Sequence, residues 1–363
     1  MSADTSQAIW DRARRYQSVL VGRGALITDA DVLQPADTLL DLYGEDIRAR
    51  TFTTQDPLRG EQMLRPDFTV PIVQQHMEFG AEPACYTYLG KVFRKQEADE
   101  TRPTEFVQVG FEVFDGKDVA GADAEVFATF ADILADVPVS PITGDIGILR
   151  AAVTGLKTSE SRRAALMRHL WRPRRFRSLL DRFGSVTPMP AARAALLGNS
   201  NVMANLPTVL GLRSEAEIAL RIDALQADAV VGPISGFERD LVASLLKVRE
   251  TAPNALALLR DIAVDLPSIS AAIDGLNMRL DAMANRGIDV DALPFEAAYG
   301  RSSMEYYDGF VFGFSSNAGL NIPPIATGGR YDALTVILGG GIGVPAVGGV
   351  IRPDLVALVE AAQ

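Results

Sequence analysis

Residues 85–114 read CYTYLGKVFRKQEADETRPTEFVQVGFEVF. The two ends, CYTYLGKVFR (85–94) and FVQVGFEVF (106–114), are rich in aromatic and β-branched residues, and each predicts a strand. A charge-dense loop joins them, so an antiparallel pair is the natural outcome. Strand side chains alternate between faces. Val107, Val109, Phe111 and Val113 therefore share one face, which can sit on a core. Gln108, Gly110, Glu112 and Phe114 share the other.

That second face sets an amide and a carboxylate about 13 Å apart at their Cα atoms, with a glycine between. Two readings fit. One is the solvated outer face of an antiparallel sheet. The other is the floor of a small polar pocket, where a buried carboxylate calls for a cationic or hydrogen-donating ligand. MEYYDGFVFGF (304–314) predicts a second polar-decorated strand. It would place Glu305, Tyr307, Gly309 and Val311 on one face, and Tyr306, Asp308, Phe310 and Phe312 on the other. Two such strands favour a pocket. The joining loop carries Arg94, Lys95 and Arg102 among Glu97, Asp99, Glu100 and Glu105. It is either solvated surface or, through an arginine at the strand end, a grip for phosphate or carboxylate.

The rest of the chain sets the frame. Its 363 residues suit one large or two moderate domains, and 48% hydrophobic with 22% charged residues is a globular composition. A net charge of −11 disfavours nucleic-acid binding. Cys85 is the single cysteine, so no internal disulfide points to secretion. The N-terminus MSADTSQAIWDRARRY lacks a signal-peptide apolar core, and a cytoplasmic protein is expected. Residues 335–351, TVILGGGIGVPAVGGVI, are too glycine-rich for a membrane helix and read as loop plus buried strand. His76 and His169 lie far apart, so no zinc-type spacing exists; a carboxylate-held Mg²⁺ stays open, and no metal-site residue is assigned.

Apolar spacing predicts helices over 5–22, 35–43 and 123–134. Two short strands flank the turn QDPLRGEQ, Arg65-Pro66-Asp67 leads into a helix, and 140–149 reads as a strand with a turn. From about 150 to 285 helical periodicity dominates, and strands return near 290. The division is 1–150, a helical insert over 151–288, and 289–363. The fold class is α+β. ESRRAALMRHLWRPRRFRSLLDRF (160–183) reads as a solvated amphipathic helix pair, with partner contact the next reading and nucleic acid behind it. GGGIGVPAVGG (339–349) lacks the spacing of a phosphate-binding loop and reads as turns and close packing. Cys85 reads as a small core residue and His76 as structural.

The ordered set LRPDFT (64–69), YTYLGKVFRKQEADETRPTEFVQVGFEVF (86–114), SMEYYDGFVF (303–312), ATGGRYDAL (326–334) and VGGVIRPDL (347–355) resembles the catalytic core of histidyl-tRNA synthetases, a class II family. The resemblance covers roughly residues 5–150 and 290–363. It implies an antiparallel sheet flanked by helices, built as a dimer, with Pro35 at the proline of the dimer-forming motif. It also implies a histidine pocket made by Asp67, Thr69, Gln108, Glu112, Tyr306, Tyr307 and Tyr331. Carboxylates and a threonine oxygen would accept from the α-ammonium, while Glu112 and a tyrosine hydroxyl would bind the imidazole.

The departures from that pattern fall on arginines. The ATP-gripping arginine of motif 3 aligns with Leu355, with Arg352 about one helical turn early. The histidine-specific arginine aligns with Ser302, with Arg301 one residue off and so on the opposite strand face. Arg94 of motif 2 is left as a vestigial phosphate contact. The chain also stops just after motif 3, so no anticodon-binding domain and no tRNA are expected. This combination resembles the regulatory subunits of ATP phosphoribosyltransferase, synthetase paralogues. That implies a subunit without chemistry or cofactor of its own, and hetero-oligomers with a short catalytic subunit. It further implies activation of the first step of histidine biosynthesis and L-histidine as the effector. The alternatives are a truncated synthetase-like ligase that activates an amino acid for a non-tRNA acceptor, and a module binding another cationic metabolite, since Asp67 is shorter than the family's glutamate.

Overall fold

The computed structural model describes residues 3–43, 47–96, 102–199, 202–205, 211–301 and 306–362. Ser302 to Glu305 and the acidic loop residues Glu97, Asp99 and Glu100 lie outside the described residues.

The first part of the chain runs α1 (Ala3–Gly22), β1 (Leu26–Ile27), β2 (Leu33–Pro35), α2 (Ala36–Tyr43), α3 (Ile47–Arg50), β3 (Thr53–Asp56), β4 (Gly60–Leu64), α4 (Thr69–Phe79), β5 (Ala84–Phe93), β6 (Glu105–Phe114), α5 (Val119–Ile133) and β7 (Val139–Asp145). A largely helical stretch follows: α6 (Ile146–Thr154), α7 (Glu160–Arg168), α8 (Pro173–Phe183), α9 (Ala191–Gly198), α10 (Glu215–Ala229), α11 (Gly236–Leu245), β8 (Arg249–Thr251), α12 (Ala252–Asp265) and α13 (Ser270–Ala284). The chain then closes with β9 (Pro294–Glu296), β10 (Phe310–Ser316), β11 (Ala326–Arg330), α14 (Asp332–Leu338), β12 (Ala346–Ile351) and α15 (Pro353–Ala361).

Nine strands form one sheet in the order β1-β5-β6-β12-β11-β10-β7-β9-β8, and β2-β4-β3 form a small second sheet. From β5 to β7 every neighbouring pair is antiparallel. Among the described residues, only the β1–β5 and β7–β9 pairs are parallel. The sequence meets the strand geometry at β6. Val107, Val109 and Phe111 join one core with Ile9 and Ala13 of α1, Phe127 and Phe130 of α5, and Leu276 of α13. Leu166, Phe176 and Leu256 from the helical stretch belong to that same core. Phe114, on the other face of β6, joins a second core with Val70 and Val73 of α4, Tyr88, Tyr307 and Tyr331. The result is an α+β protein with a mainly antiparallel sheet between helices.

Four local expectations change. β10 begins only at Phe310, so Tyr306 and Tyr307 are not strand residues on opposite faces. Both pack into the second core. The reason is Asp308, whose carboxylate accepts the backbone N–H groups of Asp332 and Ala333 at the start of α14 and so ties the segment to that helix. Likewise β7 stops at Asp145, which caps α6 by accepting the Gly147 N–H at 2.8 Å. Residues 335–338, read as loop, are the end of α14. In the arginine-rich pair, Arg162 is not solvated: it is buried and bonds Asp228 at 2.5 Å. Among the described residues, no helix is long and apolar enough to cross a membrane.

Candidate functional site

The pocket is built outward from one glycine-opened floor. Across the sheet, Tyr88 lies opposite Gly110, Gly90 opposite Gln108, and Gly348 opposite Glu112. Gly329 of β11 continues the row beside Gly348, and Val311 of β10 beside Gly329. Cross-strand partners share a face, so small residues clear the floor around Gln108 and Glu112. A β-carbon at Gly110 would sit 1.9 Å from the Tyr88 ring, which is why the tyrosine can lie across β6.

Above the floor runs the segment Arg65 to Thr69. Arg65 stacks its guanidinium 3.9 Å from the centre of the Phe68 ring and donates to the Lys91 carbonyl at 3.0 Å. Phe68 in turn stacks on Tyr88 with ring centres 4.4 Å apart. Gly90 permits this approach, since a β-carbon there would be 2.7 Å from both Arg65 and Phe68. The stack aims the Tyr88 hydroxyl at Glu112.

Glu112 and Gln108 are both 0% exposed, so the solvated-face reading of β6 does not hold. Three hydroxyls donate to the Glu112 carboxylate: Thr69 at 3.0 Å and Tyr88 at 3.1 Å to Oε1, and Tyr331 at 2.6 Å to Oε2. Burial outweighs them and pushes the carboxyl up to about 7, with Asp67 adding like charge. Asp67 is itself buried, its carboxyl raised by burial and held down in part by Arg94. Tyr306 hydrogen-bonds Thr69 and Tyr307, and its ring meets those of Tyr307 and Tyr331 edge-on. Burial raises the hydroxyls of Tyr88, Tyr306, Tyr307 and Tyr331, so all four remain protonated donors. Gln108 differs from these groups. Neither amide atom has a partner, although both are buried. A buried amide without partners carries a desolvation cost that a ligand would relieve.

Asp67, Thr69, Gln108, Glu112, Tyr306, Tyr307 and Tyr331 thus converge on one side of the sheet. Arg94 reaches the same side, donating Nε to the Pro66 carbonyl at 2.7 Å. Leu355 does not: it packs in the opposite core. Arg301 also points away, donating to the Leu170 carbonyl at 2.9 Å and lying over the Phe176 ring. His76 has a packing role, stacked on Phe114 with Nδ1 3.1 Å from the Tyr86 hydroxyl.

Reading the sequence passed over Tyr88, although its parity with Tyr86 and Gly90 on β5 marked it as facing the floor. It also passed over the ion network that anchors Tyr331. Arg330 donates to Asp123 at 2.6 and 3.0 Å and to Asp332 at 2.9 Å. Arg279 of α13 joins Asp123 at 2.7 Å and Asp145 at 2.9 Å. No local pattern pairs Arg279 with carboxylates so distant in the chain. Among the described residues, no group of three or more His, Cys, Asp or Glu is placed to hold a metal ion.

An antiparallel sheet carrying a polar, glycine-floored pocket between the motif 2 strands and a cluster of packed tyrosines is the architecture of a class II synthetase core of the histidyl type. The family model for histidyl-tRNA synthetase matches residues 29–226 and 178–356. A crystal structure of an ATP phosphoribosyltransferase regulatory subunit/histidyl-tRNA synthetase from Bacillus halodurans C superposes with a TM-score of 0.70 at 20% identity, covering 99% of this chain and 80% of that one. Two relatives, each called ATP phosphoribosyltransferase regulatory subunit, are more similar in sequence. The one from Agrobacterium fabrum is 32% identical, covering 87% of this chain and 88% of its own. The one from Allorhizobium ampelinum is 30% identical, covering 93% and 95%. The chain belongs to the histidyl-tRNA synthetase-like family of ATP phosphoribosyltransferase regulatory subunits.

Proposed function

We propose that this chain binds L-histidine in the Glu112 pocket and regulates a short catalytic subunit of ATP phosphoribosyltransferase, without forming an adenylate itself. The observation that carries the reading is the buried Glu112 carboxylate, tuned to about 7 and ringed by hydroxyl donors, beside the unpartnered amide of Gln108. An imidazole titrates in the same range, so the pair can share a proton across one short hydrogen bond. Asp67 and Thr69 supply oxygen acceptors for an ammonium group.

The absence of adenylation is supported by the opposite-facing Leu355 and Arg301, which leave the expected phosphate grips away from the pocket. The reading includes a dimer, a cytoplasmic location and a hetero-oligomer with the catalytic subunit. Histidine then acts only through a difference in its affinity for the two states of that assembly.

The test is phosphoribosyl-ATP formation by the short catalytic subunit of the same organism, with and without this chain, and then with histidine. Stimulation that histidine reverses is the expected result. No change in rate with a competent catalytic subunit would overturn the reading. Histidine- and ATP-dependent pyrophosphate exchange would establish the ligase alternative in its place.

A further inference from the structure

Arg352 follows β12 with extended backbone angles, φ −111° and ψ 93°. The strand parity therefore carries through it. The last pair of the β12–β6 ladder is Ile351 with Val109, so Arg352 falls opposite Gln108, on the face of Gly348 and Glu112. Its guanidinium is buried in the same direction, and its charge bears on Tyr306 and Tyr307. It donates to the Pro324 carbonyl at 2.8 Å and to the Thr327 hydroxyl at 3.1 Å. Neither acceptor carries a charge.

Other buried arginines provide the comparison. Arg279 and Arg330 are each neutralised by carboxylates within 2.6 to 2.9 Å, and their basicity rises. Arg352 has no carboxylate in ion-pair contact among the described residues. Burial and the like charge of Arg94 pull it down to about 10, with Asp354 opposing them only in part. Arg301, with no carboxylate in ion-pair contact among the described residues, is likewise pulled down to about 10 by burial, but it bonds the Leu170 carbonyl away from the pocket. Asp67 offsets Arg94 and Asp354 offsets Arg352 only in part, so two cations and an orphaned amide share this side of the sheet, an arrangement that an anion between them would relieve.

The geometry points to an anion clamp formed by Arg352, Arg94 and the Gln108 amide, which takes the carboxylate of the amino acid whose side chain Glu112 holds. The inference rests on the amino-acid reading of the pocket and adds the residue that selects the carboxylate end. Glu112 and Gln108 lie one strand-turn of alternation either side of Gly110, so a ligand lying along β6 meets the carboxylate at one end and the clamp at the other. Arg352 thereby supplies, from the end of β12, a cation that neither Leu355 nor Arg301 delivers.

The experiment is calorimetric titration of wild type and the variants Arg352→Gln, Arg352→Lys and Arg94→Gln with histidine and with histamine, which lacks the carboxylate. Wild type is expected to prefer histidine strongly. Arg352→Gln should lose histidine affinity by about 100-fold, the scale of a charge-assisted hydrogen bond, and keep its histamine affinity. Arg352→Lys should recover part of the loss, and retained histamine binding reports an intact fold. Equal loss of both ligands, or no loss of either, would overturn the clamp while leaving the pocket in place. Failure of wild type to bind histidine at all would overturn the amino-acid reading and the clamp with it.

Discussion

Gly348 and Glu112 face each other across β12 and β6, and a β-carbon on Gly348 would lie 1.5 Å from Glu112 Oε2. The carboxylate can lie flat on the sheet, within reach of Thr69, Tyr88 and Tyr331, only because residue 348 has no side chain. Gly348→Ala should therefore lift the carboxylate out of all three hydrogen bonds. The expected cost is about 2–3 kcal/mol in urea unfolding, together with at least a tenfold loss of histidine affinity. Wild-type affinity in a folded Gly348→Ala protein would show that Glu112 does not hold the ligand.

Glu112 also makes the fold sensitive to pH. Its carboxyl is raised by burial from an ordinary value of 4.5 to about 7. The unfolded chain therefore releases this proton first as pH rises. Stability from the protonated form is fully present below 4.5 and is lost as pH rises through 7. The loss is on the order of 3 kcal/mol. Glu112→Gln removes it. Between pH 5 and 8 the wild type should lose stability to urea relative to the variant in the absence of ligand. Parallel stability curves for the two proteins would contradict this.

Much of the pocket was legible because strand parity is a local property. Gln108, Gly110 and Glu112 follow directly from the alternation in FVQVGFEVF, and the β5–β6 pair from its composition. The tyrosine pair failed the same test. MEYYDGFVFGF has strand composition, but the bonds from Asp308 to the start of α14 are tertiary and override it. Arg352 was set aside by counting along a helix, whereas continuing the parity of Ala346, Gly348 and Val350 places it on the floor. The roles of Asp67, Thr69 and Tyr331 came from resemblance alone, since nothing local ties them to β6.

The buried ion network ties the last insert helix to β11, the strand that leads into Tyr331. Arg279 bridges Asp123 and Asp145, and Arg330 shares Asp123. Removing one partner of such a set strands buried charge at a cost of roughly 3–5 kcal/mol. Arg279→Met should destabilise the protein by about that much at pH 7. Asp145 is already pushed up by burial, and without Arg279 it should rise further. The penalty should then shrink at pH 4, where the stranded carboxyl takes a proton. A penalty independent of pH would assign the loss to packing instead.

Tyr88 is the pocket residue that sequence reading missed, and its hydroxyl can be removed without disturbing its ring. In Tyr88→Phe the stack on Phe68 and the fit over Gly110 persist, while Glu112 loses one of the donors that favour its ionised form. The carboxyl should move further up from about 7. Histidine binding, followed as a function of pH, should shift its midpoint to higher pH with a maximal affinity within a few fold of wild type. The sign distinguishes this role from simple packing. A binding loss of equal size at every pH would mean that Tyr88 shapes the pocket without tuning Glu112.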